Sequence, residues 1–194
     1  MEHVHRHIDE HFKDYLSAVG DLVRQPSISA TGEGVRECAR LLADMMTSAG
    51  IRTEILETGG NPVVYGEIPS GRKDGKTVLF YGHYDVQPPE PLELWESRPF
   101  EPAVRDGRLY ARGIADNKGQ LMAHILAVRA FRETGTDIPC SVKFAFEGEE
   151  ESGSTSLAPF VEQNRERLAC DIALAVDGPM LSGDVLNVCL GCRG

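Results

Sequence analysis

Two periods of apolar and polar residues alternate along this chain. In SVKFAF (141–146) every second position is apolar (Val142, Phe144, Phe146), which is the period of a strand with one face in a core. IRTEILE (51–57), NPVVYGEIP (61–69), TVLFYGH (77–83), DIALAV (171–176) and DVLNVCL (184–190) read as further strands, with SGRKDGK (70–76) as a turn between the second and third of these. Helical spacing governs Val35 to Ala49, where Val35, Cys38, Ala39, Leu41, Leu42, Met45 and Met46 form one face and Gly50 ends the run. The same spacing predicts helices over Ile8–Arg24, stopping short of Pro26, over Asn117–Thr134 and over Ser156–Leu168. AVRDGRLYARG (103–113) is hairpin-like. Strands and helices alternate, which predicts an α/β three-layer sandwich: a central mixed, mostly parallel sheet with helices on both faces.

Composition narrows the function classes. The 194 residues carry a net charge of −10, which argues against a nucleic-acid backbone as partner and is compatible with cationic ligands. No apolar run reaches the length of a membrane span, and the charged start MEHVHRHIDEHFKDY lacks a signal-like apolar stretch, so the expected home is the cytoplasm, with no membrane partner. Five widely spaced cysteines (38, 140, 170, 189, 192) then read as reduced thiols, and Cys189 and Cys192 as an unremarkable pair. His3, His7 and His11 share one helical face, which reads as solvated rather than metal-binding.

Chemistry enters at the strand ends. His83 and Asp85 follow TVLFYG, Glu149, Glu150 and Glu151 follow SVKFAF, Asp177 follows DIALAV, and Asp116 opens the long helix. Taken singly, each has a plain structural reading: a core histidine, an N-cap, a turn, a solvated loop. Together they occupy equivalent positions, because open α/β sheets bind ligands outside the carboxyl ends of their strands. Imidazole plus carboxylates is a donor set suited to Zn²⁺, or to Mn²⁺ or Co²⁺, and a cation would relieve the repulsion among the glutamates.

YGHYDVQP, ARGIADNKGQ, EGEEESGS and AVDGP, in this order, resemble the motifs of a di-zinc metallopeptidase family. That family includes carnosine and non-specific dipeptidases, carboxypeptidase G, aminoacylase and succinyl-diaminopimelate desuccinylase. The resemblance runs from about Ile8 to the last residue, and HYDVQP…LW…PFEP looks most like the dipeptidase branch. It implies that His83 and Asp177 bind one zinc, that Asp116 bridges two, and that Glu151 binds the second. It implies Glu150 as general base and Asp85 as the carboxylate orienting the His83 imidazole. Gly153 and Ser154 set this register of the glutamates, leaving Glu147 and Glu149 to structural roles. A cis peptide after Asp116 is also implied.

The same resemblance implies a further histidine ligand for the second zinc, and no histidine follows Asp177. Residues 1–194 are therefore expected to be the N-terminal portion of a catalytic domain, with one metal site incomplete. A lid or dimerisation domain and a C-terminal catalytic segment would lie elsewhere in a longer, homodimeric parent enzyme. The expected substrate is a dipeptide, with an N-acyl amino acid as the alternative, and the isolated chain is expected to be inactive. A non-catalytic metal- or partner-binding domain is the reading from a different class.

Overall fold

The computed structural model describes residues 1–72 and 75–178. The predicted strand at 184–190, the Cys189/Cys192 pair, and parts of the turns at 70–76 and 177–179 lie outside the described residues. Among the described residues no helix is long and apolar enough to cross a membrane.

The N-terminal helix is two helices, α1 (Glu2–Glu10) and α2 (Phe12–Arg24). His11 leaves helical geometry between them, and its backbone N–H and ring Nδ1 both contact the His7 carbonyl. Then come α3 (Val35–Ser48), β1 (Arg52–Leu56), β2 (Val63–Ile68) and β3 (Thr77–His83). α3 ends as the sequence predicts. Gly50 takes φ 82°, and the N–H groups of Gly50 and Ile51 bond the carbonyls of Thr47 and Met46, the paired bonds of a glycine-terminated helix. β4 (Ala103–Arg105) and β5 (Arg108–Tyr110) form the small hairpin, turned by Asp106 and Gly107, both at positive φ. A turn (Ile114–Lys118), kinked where Asp116 leaves helical geometry, leads into α4 (Gly119–Glu133), followed by β6 (Ser141–Glu147). α5 (Leu157–Gln163) and α6 (Arg165–Leu168) share the predicted final helix, broken at Asn164, and β7 (Ile172–Ala175) closes the described chain.

Among the described residues, five strands form one sheet in the order β1-β2-β6-β3-β7. It is mixed: β1–β2 and β2–β6 are antiparallel, whereas β6–β3 and β3–β7 are parallel. Alternation along the strands divides the side chains between two cores. Val64, Val142, Phe144 and Phe146 face the cluster made with α1 to α4, while Val63, Tyr65 and Ala145 face Phe160 of α5 and Leu168 of α6. Helices therefore cover both faces.

His3 is exposed and His7 and His11 are half-buried, and two of these histidines also have partners outside their own helix. His7 Nε2 lies 2.8 Å from Glu133 Oε2, and His3 Nε2 lies 2.7 Å from Thr136 Oγ1, so they fasten α1 to the end of α4. These contacts come from the packing of α1 against α4, which local periodicity does not report.

His124, on α4, stacks on Phe80 of β3 with ring centroids 4.2 Å apart, and its Nε2 is buried without a partner among the described residues. Burial pushes its pKa down to about 4. Between that value and its unfolded pKa near 6.5 the unfolded chain binds the extra proton. Stability is therefore full above about pH 6.5 and falls as pH drops toward 4. His124→Leu should reduce the stability lost between pH 6.5 and 4.5 by about 2 kcal/mol, as read by urea unfolding across that range. An unchanged pH slope would contradict this origin.

Candidate metal centre

The sheet order places the ends of β6, β3 and β7 side by side. His83, the last residue of β3, pairs in register with Glu147 at the end of β6. Its side chain has 0% exposure. Nε2 faces three carboxylates: Asp116 Oδ1 at 2.9 Å, Asp177 Oδ2 at 3.2 Å and Glu150 Oε2 at 3.9 Å. Those side chains retain exposures of 60%, 29% and 40%, so the imidazole forms the floor of a carboxylate-rimmed site open to solvent. Ligand atoms of His83, Glu150 and Asp177 all lie within 4.8 Å of one another. The Asp116–Asn117 peptide is cis.

Asp85 is fully buried. The His83 Nδ1 atom lies 3.4 Å from Asp85 Oδ1 and 3.1 Å from the Asp85 backbone oxygen, which fits the orienting role that the resemblance implied. It also has a second role that the sequence does not signal. Its two carboxylate oxygens accept the backbone N–H groups of Glu150 (3.2 Å) and Glu151 (3.1 Å). One buried carboxylate thus couples the end of β3 to the turn after β6, across 65 residues of sequence.

The glutamates divide by partner. Glu147 is buried and accepts hydrogen bonds from the Tyr81 hydroxyl and from Ser154 Oγ, while burial raises its pKa. Glu149 accepts the backbone N–H groups of Asn61 and Ser156, pinning the loop. Glu151 Oε2 accepts Gln87 Nε2 at 2.8 Å and is not among the three groups clustered within 4.8 Å. Glu150 is in that cluster. Its pKa is raised, chiefly by burial, with the neighbouring Glu151, Asp177 and Asp85 charges adding to the shift against the opposing charge of His83.

These residues fit a divalent cation. Burial works against a charged His83 imidazole, yet its bond to Asp85 and the charges of Asp85, Asp177 and Asp116 raise its pKa to about 9. The surrounding carboxylates favour positive charge on this ring, and Nε2 is the nitrogen that faces the open site. A buried imidazole ringed by carboxylates at the carboxyl edge of an α/β sheet is a donor set that could hold a divalent metal ion.

Comparison with known proteins sharpens that class. The model of peptidase family M20/M25/M40 matches residues 79–191, and the chain belongs to this family. It is 32% identical to the human Beta-Ala-His dipeptidase over 100% of this chain and 42% of that protein. It is 33% identical to the succinyl-diaminopimelate desuccinylase of Ralstonia pickettii over 81% of this chain and 42% of that protein. The crystal structure of an M20 family metallo-carboxypeptidase from Sulfolobus solfataricus superposes with a TM-score of 0.79 at 40% identity, covering 83% of this chain and 36% of that one. The chain thus spans about two fifths of the length of the relatives it matches.

Asp85→Ala would leave the part-buried N–H groups of Glu150 and Glu151 without their acceptor and remove the carboxylate beside His83 Nδ1, whose backbone acceptor at residue 85 would remain. Stability should fall by about 2–4 kcal/mol, and divalent-metal affinity by about 10–100-fold, measured by urea unfolding and by chelator competition. A variant as stable as the wild type would show that the turn holds itself.

Proposed function

We propose that the protein carrying this chain is a metal-dependent hydrolase of dipeptides, and that residues 1–194 are the N-terminal portion of its catalytic domain. The convergence of His83, Asp116, Asp177 and Glu150 on one sheet edge carries this reading, and membership of the peptidase family supports it. In this reading His83, Asp116 and Asp177 hold one zinc ion. Asp116 and Glu151 contribute to a second, completed by a histidine elsewhere in the protein. Bound divalent metal supplies an acidified water and a polarised scissile carbonyl.

The chain's own residues do the rest. Asp85 fixes the His83 ring and the backbone of Glu150 and Glu151, so ligand and base keep their spacing. Glu150 accepts a proton from the attacking water and returns it to the departing amine. Its partly exposed carboxylate beside His83 is suited to that exchange. Gln87 holds the Glu151 carboxylate aside at the mouth of the site.

Dipeptides are the preferred substrates because the similarity to a dipeptidase extends over the whole chain. The similarity to a desuccinylase supports a second reading, hydrolysis of an N-acyl amino acid. The substrate pocket is completed by a lid domain outside this chain, through which the parent forms a homodimer. The isolated 194 residues are then inactive.

In the full-length protein, Glu150→Ala should lower kcat on dipeptides by at least about 10²–10⁴-fold with metal content retained. Glu151→Ala should lose metal. Loss of metal in Glu150→Ala, with retention in Glu151→Ala, would reverse the two roles. A substrate panel of dipeptides and N-acyl amino acids decides between the two readings.

A further inference from the structure

Asn117 is fully buried between the metal-ligand positions and touches the backbone of two of the strands that carry them. The ladder between β3 and β7 has its last register pair at Tyr81 and Ala175. Beyond it the strand ends need another means of staying together. Tyr84 N–H bonds the Glu147 carbonyl on the β6 side, so the preceding N–H, that of His83, faces the β7 side. There it meets Asn117 Oδ1 at 3.4 Å. The Asn117 Nδ2 donates in turn to the carbonyl of Val176 at 2.6 Å. The side-chain amide thus stands in for a peptide group, extending the ladder past its end with one acceptor and one donor.

Every backbone it holds adjoins a ligand. His83 is one of its partners, Val176 precedes Asp177, and Asp116 precedes Asn117 itself. The space around it is closed. A Cβ at Gly82 would stand 2.4 Å from Asn117 Oδ1 and 2.6 Å from Leu121 Cδ2, so glycine there lets the amide approach the strand.

We propose that Asn117 is a positioning residue: its amide sets the separation of His83, Asp116 and Asp177, and so the metal affinity of the site they form. This rests on the reading of those three residues as ligands of one metal. Asp85 ties the histidine to the glutamate turn, and Asn117 ties it to the two aspartates. Alanine at 117 leaves all the ligands in the chain while removing what fixes their spacing.

The test uses the full-length protein, Zn²⁺ affinity by chelator competition, and the visible absorption of Co²⁺ in place of zinc. Asn117→Ala should weaken Zn²⁺ binding by about 10–100-fold and alter the Co²⁺ bands. Met46→Ala, a buried core truncation on α3, should lower the melting temperature while leaving affinity and spectrum as in the wild type. Gly82→Ala, which displaces the amide from the other side, should follow Asn117→Ala. The proposal is overturned if Asn117→Ala binds Zn²⁺ and colours Co²⁺ as Met46→Ala does. Failure of both Asn117→Ala and Asn117→Ser to fold would overturn it too, since the amide would then be a determinant of the sheet and not of the centre. A wild-type protein that binds no Zn²⁺ would instead remove the ligand reading on which it rests.

Discussion

Parallel pairing of β3 between β6 and β7 forces three chain ends to emerge at one edge of the sheet, and the acidic residues just past those ends meet there. Four carboxylates lie within 4 Å of the imidazole nitrogens of His83: Asp85 at Nδ1, and Asp116, Glu150 and Asp177 at Nε2. Such an arrangement is costly without positive charge at its centre, and the pKa values of His83 and Glu150 are both raised there. The hydrogen-bonding pattern around the site follows from that constraint. Asp85 is satisfied by two backbone N–H groups and the His83 ring, Glu149 by two more, and Glu147 by Tyr81 and Ser154. Asp116, Glu150 and Asp177 each approach His83 Nε2 at the open mouth.

Much of this was legible in the sequence because strand periodicity is strict. Once TVLFYGH, SVKFAF and DIALAV are read as parallel strands of one sheet, the residues just past them share an edge, whatever lies between. The glycine stop of α3 and the Asp-Gly turn of the hairpin were legible too, since both depend on backbone conformations that few residues adopt. The break at His11 was not. It follows from contacts between the first helix and the far end of α4, more than 120 residues away in sequence. The split between two parallel and two antiparallel pairings likewise depends on which strands become neighbours, which no local pattern records.

The site was legible as a set of residue types and less so as a set of partners. Resemblance to a peptidase family separated Glu150 from Glu151, and the two do differ in surroundings, one beside His83 and the other bonded to Gln87. The buried acceptor role of Asp85 toward the turn after β6 has no sequence signal, because an aspartate looks the same whether it binds a ring or a backbone. Asn117 hides for the same reason. In ADNKG it reads as the first residue of a helix, and only the spent ladder between β3 and β7 gives its amide a purpose.

The central claim is that the His83 imidazole and its flanking aspartates hold a divalent metal. Anomalous diffraction at the zinc absorption edge, from crystals of the full-length protein, tests this most directly. The account predicts a zinc peak about 2 Å from His83 Nε2, with oxygens of Asp116 and Asp177 completing its neighbours from this chain. A zinc-loaded crystal with no peak in reach of His83 Nε2, or with zinc held by the glutamates alone, would contradict it.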